Sequence, residues 1–123
     1  RIYLKTVEYI LYNKIASAQD FASTHQTCVV LKGANTAIAL PDKSVFINPT
    51  GNPGMATGGT GDILTGLIAG FLAQNIDVKS ASLAGCYIHG LAGDLLVKKT
   101  NQASLIASDI LDTIPLSLKN IFS

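Results

Sequence analysis

Three glycines and an acid, Gly58, Gly59, Gly61 and Asp62, stand before an apolar run in the stretch GNPGMATGGTGDILTG, residues 51 to 66. Glycines lack a Cβ, so successive backbone N–H groups can converge on an anion. A helix starting at Asp62 would add unpaired N–H donors and the positive end of its dipole. Thr57 and Thr60 add hydroxyls. Together these make a cradle for phosphoryl oxygens that carries no net charge of its own. Asp62 is out of place in such a cradle, because a carboxylate repels phosphate and Ser or Asn would cap the helix as well. It makes chemical sense as a base that deprotonates a hydroxyl attacking the bound phosphoryl group. The nest would then stabilise charge on the transferring group. The same residues also describe an ordinary Asp-capped helix behind a glycine-rich turn, and isolated glycine motifs often match by chance. The stretch is not a Walker A loop, since no Lys-Ser/Thr follows the glycines. Nor is it a dinucleotide fingerprint, since no strand runs directly into a GxGxxG.

A second candidate is LKGANT, Leu31 to Thr36. It follows a run that reads as a buried strand, and open α/β sheets bind ligands beyond the carboxyl ends of strands. Lys32 offers a mobile cation, Gly33 allows close backbone approach, and Asn35 and Thr36 supply polar groups. A β-turn carrying a surface lysine has the same composition. His89 reads as a hydrogen-bonded core residue and Asp94 as a helix-surface or interface charge. Both are left outside the site.

The elements that must position these residues alternate in period. Residues 1 to 25 read as helix, with apolar stripes at Ile2, Val7, Ile10 and Leu11 and at Ile15, Ala18, Phe21 and Ala22. TCVVL, Thr27 to Leu31, is a continuous β-branched run of the kind expected for a central strand buried on both faces. Thr36 to Asn48 reads as a β-hairpin turning at Pro41 and Asp42. A helix is expected from about Asp62 to Gln74, with Ile63, Leu64, Leu67, Ile68, Phe71 and Leu72 on one face. Gly66 and Gly70 within it point to close approach by another backbone. Asp77 would cap a long, nearly enclosed helix from Val78 to Lys99, which ends on two lysines as its dipole favours. The tail would form one helix capped by Ser108 and a second restarted at Pro115. A central first strand needs partners that this inventory does not contain. The expectation is therefore the second half of a larger α/β domain whose first half lies outside these 123 residues.

The totals narrow the partners. Hydrophobic residues make up 48% of the chain, and nine basic against eight acidic residues leave a net charge of +1. Such a balance carries no electrostatic footprint for nucleic acid. No apolar run is long enough to span a bilayer. Cys28 and Cys86 sit in apolar surroundings without metal-ligand spacing and read as core thiols of a reducing compartment. Small molecules or protein in the cytoplasm are the expected partners, and no metal site is expected from side chains.

NPGMATGGTGDILTG (Asn52 to Gly66) and, before it, VVLKGANTAI (Val29 to Ile38) closely resemble the carbohydrate-kinase-related NAD(P)HX dehydratases. The resemblance runs from about Ser17 to Leu118 and includes SASLAGCYIHGLAGDLL and IASDILDTIP. It implies a ribokinase-like α/β three-layer sandwich, of which this chain would be the C-terminal part, with three strands including a hairpin and then several helices. It implies conversion of hydrated NADH or NADPH back to the normal cofactor at the expense of ADP or ATP, with Mg2+ accompanying the nucleotide. Lys32, Gly33, Ala34, Asn35 and Thr36 would lie against the adenine nucleotide, together with Gly61, and Asp62 at the hydrated nicotinamide. A homotetramer, and in many members a fused epimerase domain, also come with the resemblance. The loop chemistry alone would equally serve a vitamin-precursor kinase of the same fold. The apolar helices would suit an assembly module that needs its missing half.

Overall fold

The computed structural model describes the backbone of residues 2–33 and 35–122, and the side chains of residues 13–33 and 35–121. It divides into two compact units, the first ending at Ile47 and the second beginning at Asn48.

The first unit is helix α1 (Ile2–His25) and a sheet of β1 (Val29–Leu31), β2 (Ala37–Ala39) and β3 (Val45–Ile47). The strands are antiparallel in the order β1-β2-β3, with Val30 opposite Ile38 and Ile38 opposite Phe46. Ala18 and Ala22 of α1 are buried with Ala39, and Val29 and Val45 pack around them. Small residues on both elements let helix and sheet approach closely. The first expected stripe, Ile2, Val7, Ile10 and Leu11, lies outside the described side chains. In the second, Phe21 departs from expectation: it is exposed and rests on the His25 ring.

The hairpin forms as expected. The Asp42 carboxylate accepts from the Ser44 N–H, and Lys43 takes the left-handed conformation at φ 69° that closes the turn. Among the described residues the first strand lies at the edge of the sheet. β1 is half-buried and, among the described residues, pairs only with β2, whose three residues are all buried. An apolar β-branched run reports what a strand can bury, not how many neighbours one stretch of chain supplies.

The second unit holds helices α2 (Thr60–Ala73), α3 (Val78–Lys99) and α4 (Ala107–Phe122), with short 3-10 turns at Pro53–Met55 and Gln102–Ser104. α3 packs against both of the others. Ile88 and Ala92 of α3 are buried with Leu105, Ile110 and Ile114, and Ile63, Leu67 and Phe71 of α2 close this core. Asp77 caps α3 as expected, its carboxylate accepting from the Ser80 N–H at 3.0 Å. α3 is less enclosed than its composition implied, for Val78 and Tyr87 are exposed.

Three expectations differ from what is seen here. α4 is one continuous helix with Pro115 inside it, not two helices joined there. A proline in a helix interior leaves the carbonyl four residues earlier without its N–H partner. Leu111 and Pro115 both lie on the exposed side, where water can replace that bond. Helical bonding also begins before Ser108, because the Ile106 carbonyl accepts from the N–H groups of Asp109 and Ile110. Gly66 and Gly70 of α2 face open space, and the close approaches fall on α3 instead. No disulfide joins the two cysteines, of which Cys86 is buried and Cys28 half-buried. Among the described residues no helix is long and apolar enough to cross a membrane.

Candidate active site

The glycine loop enters α2 through Gly59, whose left-handed backbone (φ 90°) is open to glycine at little strain. Gly59 is the N-cap residue and, having no side chain, makes no cap bond to the N–H groups of the first turn. Those donors are the unpartnered groups that every helix start leaves. They sit behind the exposed Gly58 and Gly59. The positive end of the α2 dipole therefore opens where the sequence placed an anion cradle.

Because α2 begins at Thr60, two residues earlier than expected, Asp62 is the third residue of the helix and does not cap it. Its side chain is exposed and has no hydrogen-bond partner among the described residues. The plain capping explanation for this acid is thereby removed. Thr60 behaves differently from the reading above. Its side chain is buried, and its hydroxyl donates inward to the Met55 carbonyl at 2.9 Å, with the Thr57 carbonyl at 3.1 Å. What Thr60 can offer a ligand is its backbone N–H.

The loop is held from α3. The Asp94 carboxylate accepts from the Gly51 N–H at 2.9 Å and from Asn52 Nδ2 at 3.0 Å. His89 Nε2 lies 2.9 Å from the Thr60 carbonyl, and since a carbonyl only accepts, that nitrogen carries the proton. Asn48 is buried and donates to the Cys86 carbonyl, and Thr50 donates to the Tyr87 carbonyl. A Cβ on Gly90 would stand 2.1 Å from Thr50 Oγ1 and 2.6 Å from the Thr50 carbonyl carbon, so only glycine admits the loop there. Sequence reasoning gave His89 its hydrogen-bonded role but, reading Asp94 as a helix-surface or interface charge, missed that it is a half-buried anchor of the loop. The available signal was an acid on an otherwise apolar, glycine-rich helix.

The second candidate stretch lies in the first unit, directly after β1. Lys32, Gly33 and Asn35 are exposed and Thr36 is half-buried, while Ala34 lies outside the described residues. Thr36 Oγ1 reaches the Gly33 carbonyl only at 3.5 Å. The structure thus gathers Gly58, Gly59, Thr60, Gly61 and Asp62 at one helix start in the second unit, and the described members of Lys32 to Thr36 in one loop of the first.

Comparison with known proteins decides the lineage. A family model described as NAD(P)H-hydrate dehydratase matches residues 3–116. The chain belongs to the NAD(P)H-hydrate dehydratase family. It is 45% identical over 116 residues to the bifunctional NAD(P)H-hydrate repair enzyme Nnr of Moorella thermoacetica, covering 94% of this chain and 22% of that protein. It is 43% identical over 98 residues to the ADP-dependent (S)-NAD(P)H-hydrate dehydratase of Bacillus subtilis, covering 80% of this chain and 36% of that one. The B. subtilis ADP/ATP-dependent dehydratase co-crystallised with ATP and Mg2+ superposes with a TM-score of 0.85 at 38% identity, over 93% of this chain and 41% of that structure. A ribokinase-like superfamily protein of Enterococcus faecalis superposes at 0.71 and 40% identity, over 85% of this chain and 36% of its own length. The fold is therefore ribokinase-like α/β, and the chain spans between about a fifth and two-fifths of these NAD(P)H-hydrate dehydratase relatives.

Proposed function

We propose that this chain carries the glycine-loop part of a site that dehydrates NAD(P)H-hydrate at the expense of ADP or ATP. The observation that carries the reading is Asp62: an exposed acid in the first turn of α2, used for no cap, beside a helix start whose N-cap is the exposed Gly59. The N–H groups around Gly58, Gly59, Thr60 and Gly61 would take the phosphoryl oxygens. Lys32, Gly33, Ala34, Asn35 and Thr36 would lie against the adenine nucleotide, a role supported by the family resemblance. Among the described residues no three His, Cys, Asp or Glu side chains cluster to hold a metal. Mg2+ would come held by the nucleotide's own phosphates.

Asp62 would accept the proton of the hydroxyl on the hydrated nicotinamide as that oxygen bonds to the terminal phosphorus. The phosphoanhydride bond breaks and the shortened nucleotide leaves. The phosphate ester is then eliminated: the ring C–O bond breaks with loss of a ring proton, and the reduced nicotinamide is restored. Such a lyase is a kinase half-reaction whose product falls apart. The remaining strands beside β1, homotetrameric assembly and a cytoplasmic location belong to the same proposal and rest on the family.

The test is Asp62→Asn in the full-length protein, read by recovery of reduced-nicotinamide absorbance. A general base supplies roughly 10²–10⁴-fold in rate, so turnover should fall by about that factor while nucleotide binding is largely kept. Unchanged turnover would remove the base assignment. A stable phosphorylated product from the wild-type protein would point instead to a small-molecule kinase of this fold.

A further inference from the structure

We infer that Asp94 is a positioning residue for the reaction proposed above, and that its charge is required because both groups it holds are donors. Its partners, the Gly51 N–H and Asn52 Nδ2, have no acceptor to offer in return. The Asn52 amide cannot turn round, since its own Oδ1 accepts from the Gly54 N–H at 3.0 Å and starts the 3-10 turn at Pro53–Met55. That turn presents the Met55 carbonyl to the Thr60 hydroxyl, and Thr60 is the first residue of α2. The bonds therefore run unbroken from Asp94 through Asn52 and Met55 to the helix start that carries Asp62. His89, on the same helix as Asp94, closes the circuit at the Thr60 carbonyl.

An amide at position 94 offers one acceptor where two are needed, and turns an N–H₂ group toward the Gly51 N–H or the Asn52 amide. Asp94→Asn thus opens the circuit with almost no change in volume. Asn52→Asp opens it the other way, by setting two carboxylates face to face. The two substitutions together restore complementarity. The new amide accepts from Gly51 and donates to the new carboxylate, whose second oxygen still receives the Gly54 N–H.

The experiment uses the full-length enzyme and measures kcat and KM for NAD(P)H-hydrate and nucleotide, melting temperature, and amide hydrogen exchange at Gly51. A small misplacement of catalytic groups can lower rate on the order of a hundredfold. Each single substitution should lower kcat by roughly ten- to a hundredfold, with KM for the nucleotide moving less than kcat, and should strip Gly51 of exchange protection. The double variant should regain most of the kcat and the Gly51 protection. Wild-type kcat in Asp94→Asn, or a double variant as slow as the slower single one, would overturn the assignment. If the single variants do not fold, the double variant decides: near-wild-type kcat supports the inference, and lost kcat with Gly51 still protected overturns it. Absence of dehydratase turnover in the wild-type protein would instead refute the proposed reaction, and Gly51 exchange would still judge the circuit.

Discussion

Helices α2 and α3 both carry glycines inside them, and the glycines do opposite things. On α2, Gly66 and Gly70 are exposed and have open space where a Cβ would go. On α3, Gly90 and Gly93 are buried under the loop that leads to Asp62. The first pair only weakens its helix, whereas the second pair lets a loop lie directly on a helix backbone. Helical glycine is thus informative only when something approaches it, and the approaching segment here is the one with the chemistry.

Substitutions at these positions can break or sharpen the contrast. Gly90→Ala should have the largest effect, because the new methyl meets both the Thr50 hydroxyl and its backbone. Overpacking of this kind costs about 3 kcal/mol, to be measured by denaturant unfolding, and turnover should fall with it. Gly93→Ala meets the Met55 side chain, with Sδ at 2.3 Å. A flexible thioether can move aside, so a loss of about 1 kcal/mol is expected. Gly66→Ala should reverse the sign and stabilise by about 0.5–1 kcal/mol. A loss at Gly66 would mean that another part of the full-length protein packs on α2, and would dissolve the contrast.

The smallest effect belongs to the cap of α3. The Ser80 backbone N–H, with its hydroxyl second, holds the Asp77 carboxyl below the usual carboxylate range. A depressed value means that the stabilisation is present above the unfolded value near 4 and is lost as pH falls through the folded one. The acid limb of the melting temperature should therefore be shallower in Asp77→Asn than in the wild type, by a small margin at this exposed position.

Much of this was legible in the residues themselves. The extents of α1 and α3, the hairpin at Pro41 and Asp42 and the Asp77 cap follow from local periodicity and turn chemistry, which act over a few residues. What failed depends on distant partners. Leu111 faces outward, so Pro115 does not end α4. Gly66 and Gly90 look alike in sequence, and only Thr50 distinguishes them. At the candidate site, Asp62 and the glycines were legible as a motif. Asp94 was not, because its role comes from two donors more than forty residues earlier in the chain.

Those long separations have a further consequence. The bonds that tie the loop to α3 connect residues 29 to 43 positions apart, from His89 with Thr60 to Asp94 with Gly51. None of them can exist in a peptide that ends before α3. The string GNPGMATGGTGD is therefore a motif without a shape until the following helix docks on it. Its geometry is inherited from tertiary structure, and a graft of these residues onto another scaffold would carry the letters and leave the cradle behind.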